Sequence, residues 1–429
     1  MQSLDDLRRV IRRIETRRPP GAAARPVEAI LGGEIQDTGA GPLLVVRREY
    51  PLAHAHGRAP LAPAFAAPLP LLAALARAEA PATDGRGLLF LDTETTGLAG
   101  GTGTYAFLVG AGWREADRFV VAQYFLRDLD EEPALLAALA PVLERAGGLV
   151  TFNGTGFDLP LLETRFVLAR RRWPGLLPHL DLLRPARRVF APSLADCRLA
   201  TLEREVIGLE RDDDVPGALI PSLYFDFLRT RRAAPLARVF EHNRQDVLSL
   251  VALLGWFGRA LEHHEELGAA ELAGLGRLWE PVDLARGLGC YRGALAAGLA
   301  GDAAHGVRLR LAAWEKRRRA WDEAHALWTD AARHDERRAG FDPRPWEELA
   351  KLYEHRRRDL GAARALVARA LDLAGLGRGG REPADGRETS EQHESGRGGA
   401  ANGSSSAHWG TSRSRPPGAR ERVTVWRLS

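Results

Sequence analysis

The sequence has few cysteines, almost no lysine and no long apolar run. Its two cysteines, Cys197 and Cys290, are far apart and lack metal-ligand spacing, which excludes a disulfide framework and a cysteine zinc site. No stretch approaches the roughly 18 apolar residues that a transmembrane helix requires. The N-terminus also lacks the apolar core of a signal peptide. We therefore expect a cytoplasmic protein with no membrane partner.

The basic residues are almost entirely arginine. Only Lys316 and Lys351 are lysines among the 60 basic residues, and the formal net charge is +4. Arginine suits phosphate because its planar guanidinium forms paired hydrogen bonds. The same bias can arise from a GC-rich gene, so alone it assigns no partner. With 429 residues and 45% hydrophobic content, the chain has room for two or three domains.

A short apolar stretch places two acidic residues close together. Residues 87–98 have the sequence GLLFLDTETTGL, which predicts a buried strand with Asp92 and Glu94 at its carboxyl end. Alternation along a strand puts both carboxylates on one face. Like charges at this distance repel, and a divalent cation such as Mg²⁺ or Mn²⁺ relieves the repulsion. Alone, the pair is equally consistent with an ordinary surface role.

Two later segments supply further polar residues. Residues 148–162, GLVTFNGTGFDLPLL, predict a second buried strand, a glycine-rich turn and a helix that begins at Asp158. Residues 240–251, FEHNRQDVLSLV, have apolar residues at helical spacing. His242 and Asp246 therefore share one face of a helix.

The motifs D-T-E-T-T-G-L, N-G-x-x-F-D-x-P-L-L and H-x-x-x-D, in this order, resemble those of the DEDD 3′→5′ exonuclease superfamily. The run from Thr93 to Gly112 is more similar still to the YprB-like ribonuclease H-like proteins of bacteria, which often carry tetratricopeptide repeats after the nuclease domain. The resemblance covers roughly residues 25–375. It implies a ribonuclease H-like fold and two bound divalent ions, Mg²⁺ or Mn²⁺. The implied metal ligands are Asp92, Glu94, Asp158 and Asp246.

The chain departs from both subgroups of that superfamily at the general base. The histidine subgroup has its base five residues before the last Asp, where this chain has Glu241; the tyrosine subgroup has Tyr four residues before, where this chain has His242. We predict that His242 acts as the base, and the alternative is that it only packs or bonds a carboxylate. The predicted catalytic residues are Asp92, Glu94, Asp158, His242 and Asp246. The predicted substrate contacts are Thr95, Tyr105, Asn153 and Phe157.

The elements around the motifs predict an α/β ribonuclease H-like mixed sheet flanked by helices. Strands at 88–91, 106–110 and 118–125 form an antiparallel meander, followed by a helix at 131–146 and the strand of the second motif. We expect the helix that begins at Asp158 to continue to Trp173. The glycine-rich segment between the first two strands is interpreted as a wall of the substrate groove, a tight hairpin, or both.

Residues 1–85 are expected to form a separate N-terminal part. It comprises an amphipathic helix at 3–17, a small β-element that includes residues 43–46, and a helix at about 68–80. The nuclease domain is assigned to 86–268.

Several polar residues allow two interpretations. His54 and His56 are a metal pair or, because no third ligand is nearby, solvent-facing loop residues. Asp181 is either a carboxylate near the metal or an ordinary strand residue. The three aspartates at 212–214 are interpreted as a solvated loop because adjacent side chains diverge. Arginines beside the motifs are candidates for phosphate contacts: Arg170, Arg171, Arg172, Arg184, Arg187, Arg188, Arg229, Arg231 and Arg232.

Beyond residue 280 the pattern is helical. Residues 311–324 match residues 350–363 at an offset of 39, which resembles an all-α tetratricopeptide-like repeat region at 280–375. Trp314, Trp321 and Trp328 are interpreted as repeat-core residues, and base stacking is the alternative. Residues 376–429 predict a disordered tail.

These observations predict a metal-dependent nuclease that hydrolyses phosphodiester bonds, most consistent with a 3′→5′ exonuclease acting on single-stranded ends of DNA or RNA. One alternative is a catalytically silent nucleic-acid-binding scaffold whose repeats recruit a protein partner. Another is an endonuclease that uses the same carboxylates. The sequence does not distinguish DNA from RNA, because that choice depends on groove geometry.

Overall fold

The computed structural model describes residues 25–81, 84–97, 103–174, 177–336 and 340–376. In it, a seven-stranded mixed sheet carries helices on both faces and is followed by a helical region. This is the predicted fold class. The predicted helix at 3–17, most of the glycine-rich segment and the predicted tail lie outside the described residues.

The sheet has the strand order β1-β2-β7-β6-β5-β8-β9. Its strands are β1 (Glu34–Asp37), β2 (Pro42–Pro51), β5 (Leu88–Thr95), β6 (Ala106–Glu115), β7 (Arg118–Phe125), β8 (Gly148–Thr151) and β9 (His179–Asp181), and a small pair comprises β3 (Ala55–His56) and β4 (Ala59–Pro60). β5, β6 and β7 form the predicted antiparallel meander. β8 and β9 continue the sheet in parallel with β5, so these three strands end at the same edge.

The first two strands, β1 and β2, belong to the main sheet, so the prediction that residues 43–46 form part of a small β-element outside the nuclease domain was wrong. β2 pairs with β7 from Leu44 opposite Phe125 to Pro51 opposite Arg118. Without β2, β7 would be an edge strand with unpaired backbone groups. The pairing spans about 75 residues of sequence, and no local pattern encodes such a partner.

Helices cover both faces of the sheet. They are α1 (Val27–Leu31), α2 (Leu69–Ala76), α3 (Glu132–Arg145), α4 (Asp158–Leu168), α5 (Leu183–Phe190), α6 (Leu199–Leu202), α7 (Ile220–Thr230) and α8 (Leu236–Glu262). One face packs against α3, α4 and α7, and the other against α2, α5 and most of α8. α4 ends at Leu168 rather than at Trp173, because Arg170 adopts the left-handed conformation (φ 56°).

The remaining helices pack in succession after the sheet. They are α9 (Ala269–Trp279), α10 (Leu284–Ala296), α11 (Gly301–Arg317), α12 (Trp321–Asp335), α13 (Pro343–Lys351) and α14 (Leu360–Leu373). Leu275 and Leu278 of α9 join the core beneath α5 and α8, so this region packs directly on the sheet domain. Trp328 is buried as predicted, whereas Trp314 and Trp321 are only partly buried. No helix among the described residues is long and apolar enough to cross a bilayer.

Candidate active site

Four carboxylates come together where the parallel strands end. β5 supplies Asp92 and Glu94, α4 begins with Asp158, and α8 supplies Asp246. Because β5 and β8 are parallel, their carboxyl ends lie side by side, and the turn after β8 leads into α4. The structure thus brings together the four residues predicted as metal ligands.

A buried amide fixes α8 against the sheet. Asn243 donates from Nδ2 to Asp92 Oδ2 at 2.8 Å and accepts from Gln123 Nε2 at 3.0 Å. The helix approaches β6 closely enough that a Cβ at Gly110 would lie 2.3 Å from Asn243 Oδ1. These contacts fix the rotation of α8, and hence the direction in which His242 and Asp246 point.

Burial raises the pKa values of three of the carboxyls, and repulsion from the other site carboxylates adds to the shift at Asp92 and Glu94. Burial is the largest cause of the raised pKa of Asp92, followed by the negative charges of Asp246, Glu94 and Asp158. Burial is also the largest cause of the raised pKa of Glu94, followed by the charges of Asp246 and Asp158. Burial likewise raises the pKa of Asp158 to about 6, although a 2.5 Å hydrogen bond from Thr93 Oγ1 opposes the shift. The site therefore holds more negative charge than its own hydrogen bonds compensate.

The donor set fits hard divalent cations. Carboxylate oxygens are the ligands that Mg²⁺ and Mn²⁺ prefer, and a bound cation would offset the repulsion. Among the described residues, no three acidic, histidine or cysteine side chains are already arranged around a common point as ligands. Asp246 instead bonds Arg211. A cation at this site would compete with that guanidinium, and Asp246 would have to turn towards it.

We expect Asp158→Asn to stabilise the metal-free protein most at neutral pH. The folded pKa of Asp158, about 6, lies above the ordinary value of about 3.9. Ionisation of Asp158 therefore lowers the free energy of unfolding. This destabilisation is complete above about pH 6 and disappears as the pH falls towards about 4. Thermal melts of both proteins in EDTA should show a gap in melting temperature that is widest at pH 7.5 and narrows through pH 6. A gap independent of pH would contradict the assignment.

A buried polar chain extends from the carboxylates into the protein, and the sequence analysis did not find it. Arg211 donates to both Asp246 and Glu203, and Ser249 also donates to Glu203. His56 Nε2 lies 2.7 Å from Ser249 Oγ. The Glu203 side chain is only 1% exposed. Burial alone would lower the pKa of Arg211, but Asp246 and Glu203 outweigh it and raise that pKa.

His56 corrects an earlier interpretation. It is buried, and burial lowers its pKa to about 4, so it is neither a solvent-facing residue nor half of a metal pair with His54. The half-buried His54 ring instead packs 4.8 Å from the Tyr50 ring. The reason is that β3 and β4 fold His56 under α8, which spacing within the loop does not indicate.

Removing Arg211 alone should destabilise the fold, because Glu203 would remain buried without its cation. We expect Arg211→Gln to lower the free energy of unfolding by roughly 3–5 kcal/mol. The double variant Arg211→Gln/Glu203→Gln should recover most of this loss. Arg204→Gln is the control, since Arg204 is 59% exposed and, among the residues that the structure describes, pairs only with exposed Glu205. Chemical denaturation of the four proteins tests this, and equal losses in the single and double variants would contradict it.

His242 lies beside the carboxylates in an oriented position. Its Nδ1 is 2.7 Å from Asp214 Oδ1, and its Nε2 is 3.9 Å from Glu94 Oε1 and 3.7 Å from Asp246 Oδ2. Because a carboxylate accepts at Nδ1, that nitrogen carries the proton and Nε2 is left with its lone pair facing the site. Arg211 Nη1, 3.3 Å from Nδ1, cannot also donate to it in this tautomer.

Residues 212–214 are exposed, as predicted for a solvated loop, but the three aspartates differ in their partners. Asp214 bonds His242, and Asp213 pairs with Arg238 at 2.8 Å. Only Asp212 has no such partner among the described residues. Glu241, at the position of the histidine subgroup's base, bonds Arg244 and Gln245.

Asp181 orients the turn that precedes Asp158. Its carboxylate accepts hydrogen bonds from the backbone N–H groups of Asn153 (2.8 Å), Thr155 (3.1 Å) and Leu183 (3.1 Å). Asn153 adopts a left-handed conformation (φ 67°) in this turn. Asp181 also contributes to the raised pKa of Asp158, after burial. It acts on the site through the backbone that it holds.

The predicted substrate contacts divide into two groups. Asn153 is exposed and Phe157 half-buried, and both flank Asp158 on the turn after β8. Thr95 is buried and donates to Gly97 O at 2.9 Å, which shapes the loop that leaves β5. Tyr105 packs beneath the Arg165 guanidinium, which lies 3.8 Å from its ring centroid.

Two of the arginines predicted as phosphate contacts are already paired. Arg229 bonds Asp226 at 2.6 Å, and Arg231 bonds Asp128 and donates to Arg127 O at 2.6 Å. Arg231 thereby ties the end of α7 to the loop after β7. The remaining candidates, including Arg184 and Arg187, form no ion pair among the described residues.

Comparison with known proteins gives two matches. The sequence pattern of the RNase_H superfamily matches residues 89–258, which include all four carboxylates and His242. The uncharacterized protein YprB of Bacillus subtilis (strain 168) is 32% identical over 291 residues, which are 67% of this chain and 70% of that protein.

Proposed function

This chain belongs to the RNase H superfamily and to the family of YprB, and on that basis we propose that it is a metal-dependent nuclease hydrolysing phosphodiester bonds. The observation that carries the proposal is the convergence of Asp92, Glu94, Asp158 and Asp246, with the pKa values of the first three raised. Carboxylates that repel one another in a largely buried site persist where a cation is the physiological partner.

The proposed ligands of two divalent ions are the four carboxylates. Such ions, when bound, stabilise charge on the phosphate and favour ionisation of water. The protein contributes position: β5 fixes Asp92 and Glu94, and the turn held by Asp181 fixes Asp158. Asp246 is the ligand that must change partner, because it bonds Arg211. Arg211 would then remain beside the site as a cation held by Glu203.

His242 is the proposed general base. Asp214 accepts from Nδ1–H and thereby fixes the ring, so Nε2 faces the carboxylates and can take a proton from an attacking water.

The proposed polarity of digestion is 3′→5′, on single-stranded ends. It rests on the resemblance of the three motifs to exonuclease motifs. A second function has one observation in its favour: Arg211 already supplies a positive charge to Asp246, as it would in a silent scaffold that binds nucleic acid without cleaving it.

Digestion of matched DNA and RNA oligonucleotides distinguishes these functions. We expect the full chain to shorten at least one of the two strands with Mg²⁺ or Mn²⁺ and neither in EDTA. A circular single strand should resist an exonuclease, and its cleavage would identify an endonuclease. Retention of both linear strands at full length with either metal would support the scaffold.

A further inference from the structure

A basic depression lies between α5 and the end of α2. It has a volume of about 350 Å³ and is lined by Arg77, Arg184, Arg187 and Arg188. Arg77, Arg184 and Arg187 are exposed, and none of them forms an ion pair within the part of the chain that the structure describes. Four guanidinium groups without a carboxylate create a local positive potential.

A second depression continues from the first, between α5 and α9. Arg188, Arg277 and Arg310 line it together with Glu280. Arg188 and Arg277 bond each other's backbone carbonyls, at 3.2 and 3.0 Å, rather than acidic side chains. The one carboxylate, Glu280, already accepts from Arg310 and Tyr291. Three arginines and one glutamate line this depression, so positive charge is in excess here as well.

The third part is a groove of about 1020 Å³ within the helical region. It begins at Arg310 and extends past Arg317 and Arg319 to Trp321. Neither Arg317 nor Arg319 pairs with an acidic residue among the described parts of α11 to α14. Two carboxylates, Glu347 and Glu348, also line the groove, and they pair with Lys351 and Lys316. Arg356 lies 4.5 Å from the ring centroid of the partly buried Trp321, so the groove also combines a flat aromatic surface with guanidinium groups.

Shared residues join the three depressions into one path, which we name the arginine track. Arg188 lines the first and the second, and Arg310 lines the second and the third. The path begins at Arg184, in the first turn of α5, which directly follows Asp181. Arg184 is also close enough to contribute to the lowered pKa of His179, after burial, and the His179 ring lies 2.8 Å from Thr151 Oγ1 at the end of β8. The track therefore starts next to the turn that carries Asp158.

We propose that the arginine track binds single-stranded nucleic acid and holds the strand whose end lies at the four carboxylates. This inference deepens the proposed nuclease function and rests on it for the position of that end. A single strand requires both spaced phosphate contacts and a surface on which bases stack, and the track supplies guanidinium groups along its length and Trp321 beneath Arg356. An acidic peptide would use the charges but would have no need of the stacking surface.

The test is binding in EDTA, where cleavage does not occur, measured by fluorescence anisotropy with the full chain. The variant is Arg317→Ala/Arg319→Ala, which lies in the helical region and removes no ion pair of the described residues. Its matched control is Arg259→Ala/Arg364→Ala, which removes two exposed arginines that do not line the track. The probes are single-stranded DNA and RNA of about 30 nucleotides, long enough to occupy the track, and of about 5 nucleotides, which reach only part of it.

We expect the track variant to weaken binding of the long strand about tenfold. The slope of log K against log salt should fall by about 1.4, which corresponds to two lost phosphate contacts on a single strand. The track variant should bind the short strand with the parental affinity. The control variant should bind both strands with the parental affinity and salt slope. Unchanged affinity and salt slope in the track variant would overturn the proposal. So would more effective displacement of the strand by polyglutamate than by an unlabelled strand of equal charge, because the track would then be a peptide site.

Failure of the track and failure of the nuclease give different results. If the parent cleaves the strand and the track variant binds it with parental affinity, the arginine track is refuted and the proposed nuclease function stands. If the parent binds the long strand through Arg317 and Arg319 but never cleaves it, the arginine track stands and the proposed nuclease function is refuted.

Discussion

Asp92→Asn is expected to abolish detectable cleavage, a loss on the order of 10³ or more in turnover, while the protein stays folded. Asparagine has nearly the shape of aspartate, and its amide oxygen can still accept the 2.8 Å hydrogen bond from Asn243. The substitution removes one negative charge from a site in which burial and three neighbouring carboxylates raise the pKa of Asp92. Without metal, the variant should therefore melt at the parental temperature or a few degrees higher.

The matched control is Asp117→Asn, which makes the same chemical change at a side chain that is 86% exposed on the turn between β6 and β7. We expect the control to retain parental turnover and melting temperature. Measurements at saturating Mg²⁺ and Mn²⁺ separate loss of metal affinity from loss of chemistry. Parental turnover in Asp92→Asn at saturating metal would refute the four-carboxylate site.

His242→Ala should lower turnover by about 10² or more, with metal affinity largely retained. The reason is geometric: Nε2 is 3.7 Å from Asp246 and 3.9 Å from Glu94, yet the ring is held by Asp214 rather than by the carboxylates. Loss of the imidazole therefore removes a proton acceptor but leaves the four carboxylates that are the proposed metal ligands in place. We expect the residual rate of the variant to depend on pH differently from the parental rate, because the proton acceptor is missing. His242→Tyr should keep appreciable activity, because tyrosine occupies this position in the related subgroup.

Asp214 provides a sharper test of the same arrangement. Asp214→Asn should reduce turnover by about tenfold to a hundredfold and change KM little. This is about the effect of losing a group that orients a ligand or base. Asp212→Asn is the control two residues away, with the same change in charge and no partner among the described residues. If Asp214→Asn and Asp212→Asn have equal rates, Asp214 does not position the base. If His242→Ala has the parental rate and pH profile, the base is elsewhere.

Local sequence patterns were sufficient for the parts of the fold that local physics determines. The apolar run before Asp92 and the helical spacing around Asp246 each specify one element, and parallel strands then bring their ends together. The grouping of the four carboxylates into one site was implied by the resemblance of the three motifs to exonuclease motifs, and not by these local patterns alone. The contact between Arg211 and Asp246 could not be predicted. Arg211 lies in a loop 35 residues from Asp246, and the contact exists only because that loop folds back over α8.

The same limit explains the other corrections. Three adjacent aspartates are equivalent as a pattern, and the fold of their loop selects Asp214 for His242 and Asp213 for Arg238. β2 looks like a small independent element until its pairing with β7 is known. Trp321 packs against the core of the helical region, as its spacing predicts, and it also lines the groove, where Arg356 lies over its ring.

The central claim is that the four carboxylates form a metal-dependent phosphodiesterase site. Its most direct test is one time course on a 5′-labelled single strand, with the parent in Mg²⁺ or Mn²⁺, the parent in EDTA, and Asp92→Asn in metal. We predict a ladder that shortens from the 3′ end in the first reaction and full-length strand in the other two. A full-length strand in every lane, or the same ladder from Asp92→Asn as from the parent, would contradict the claim.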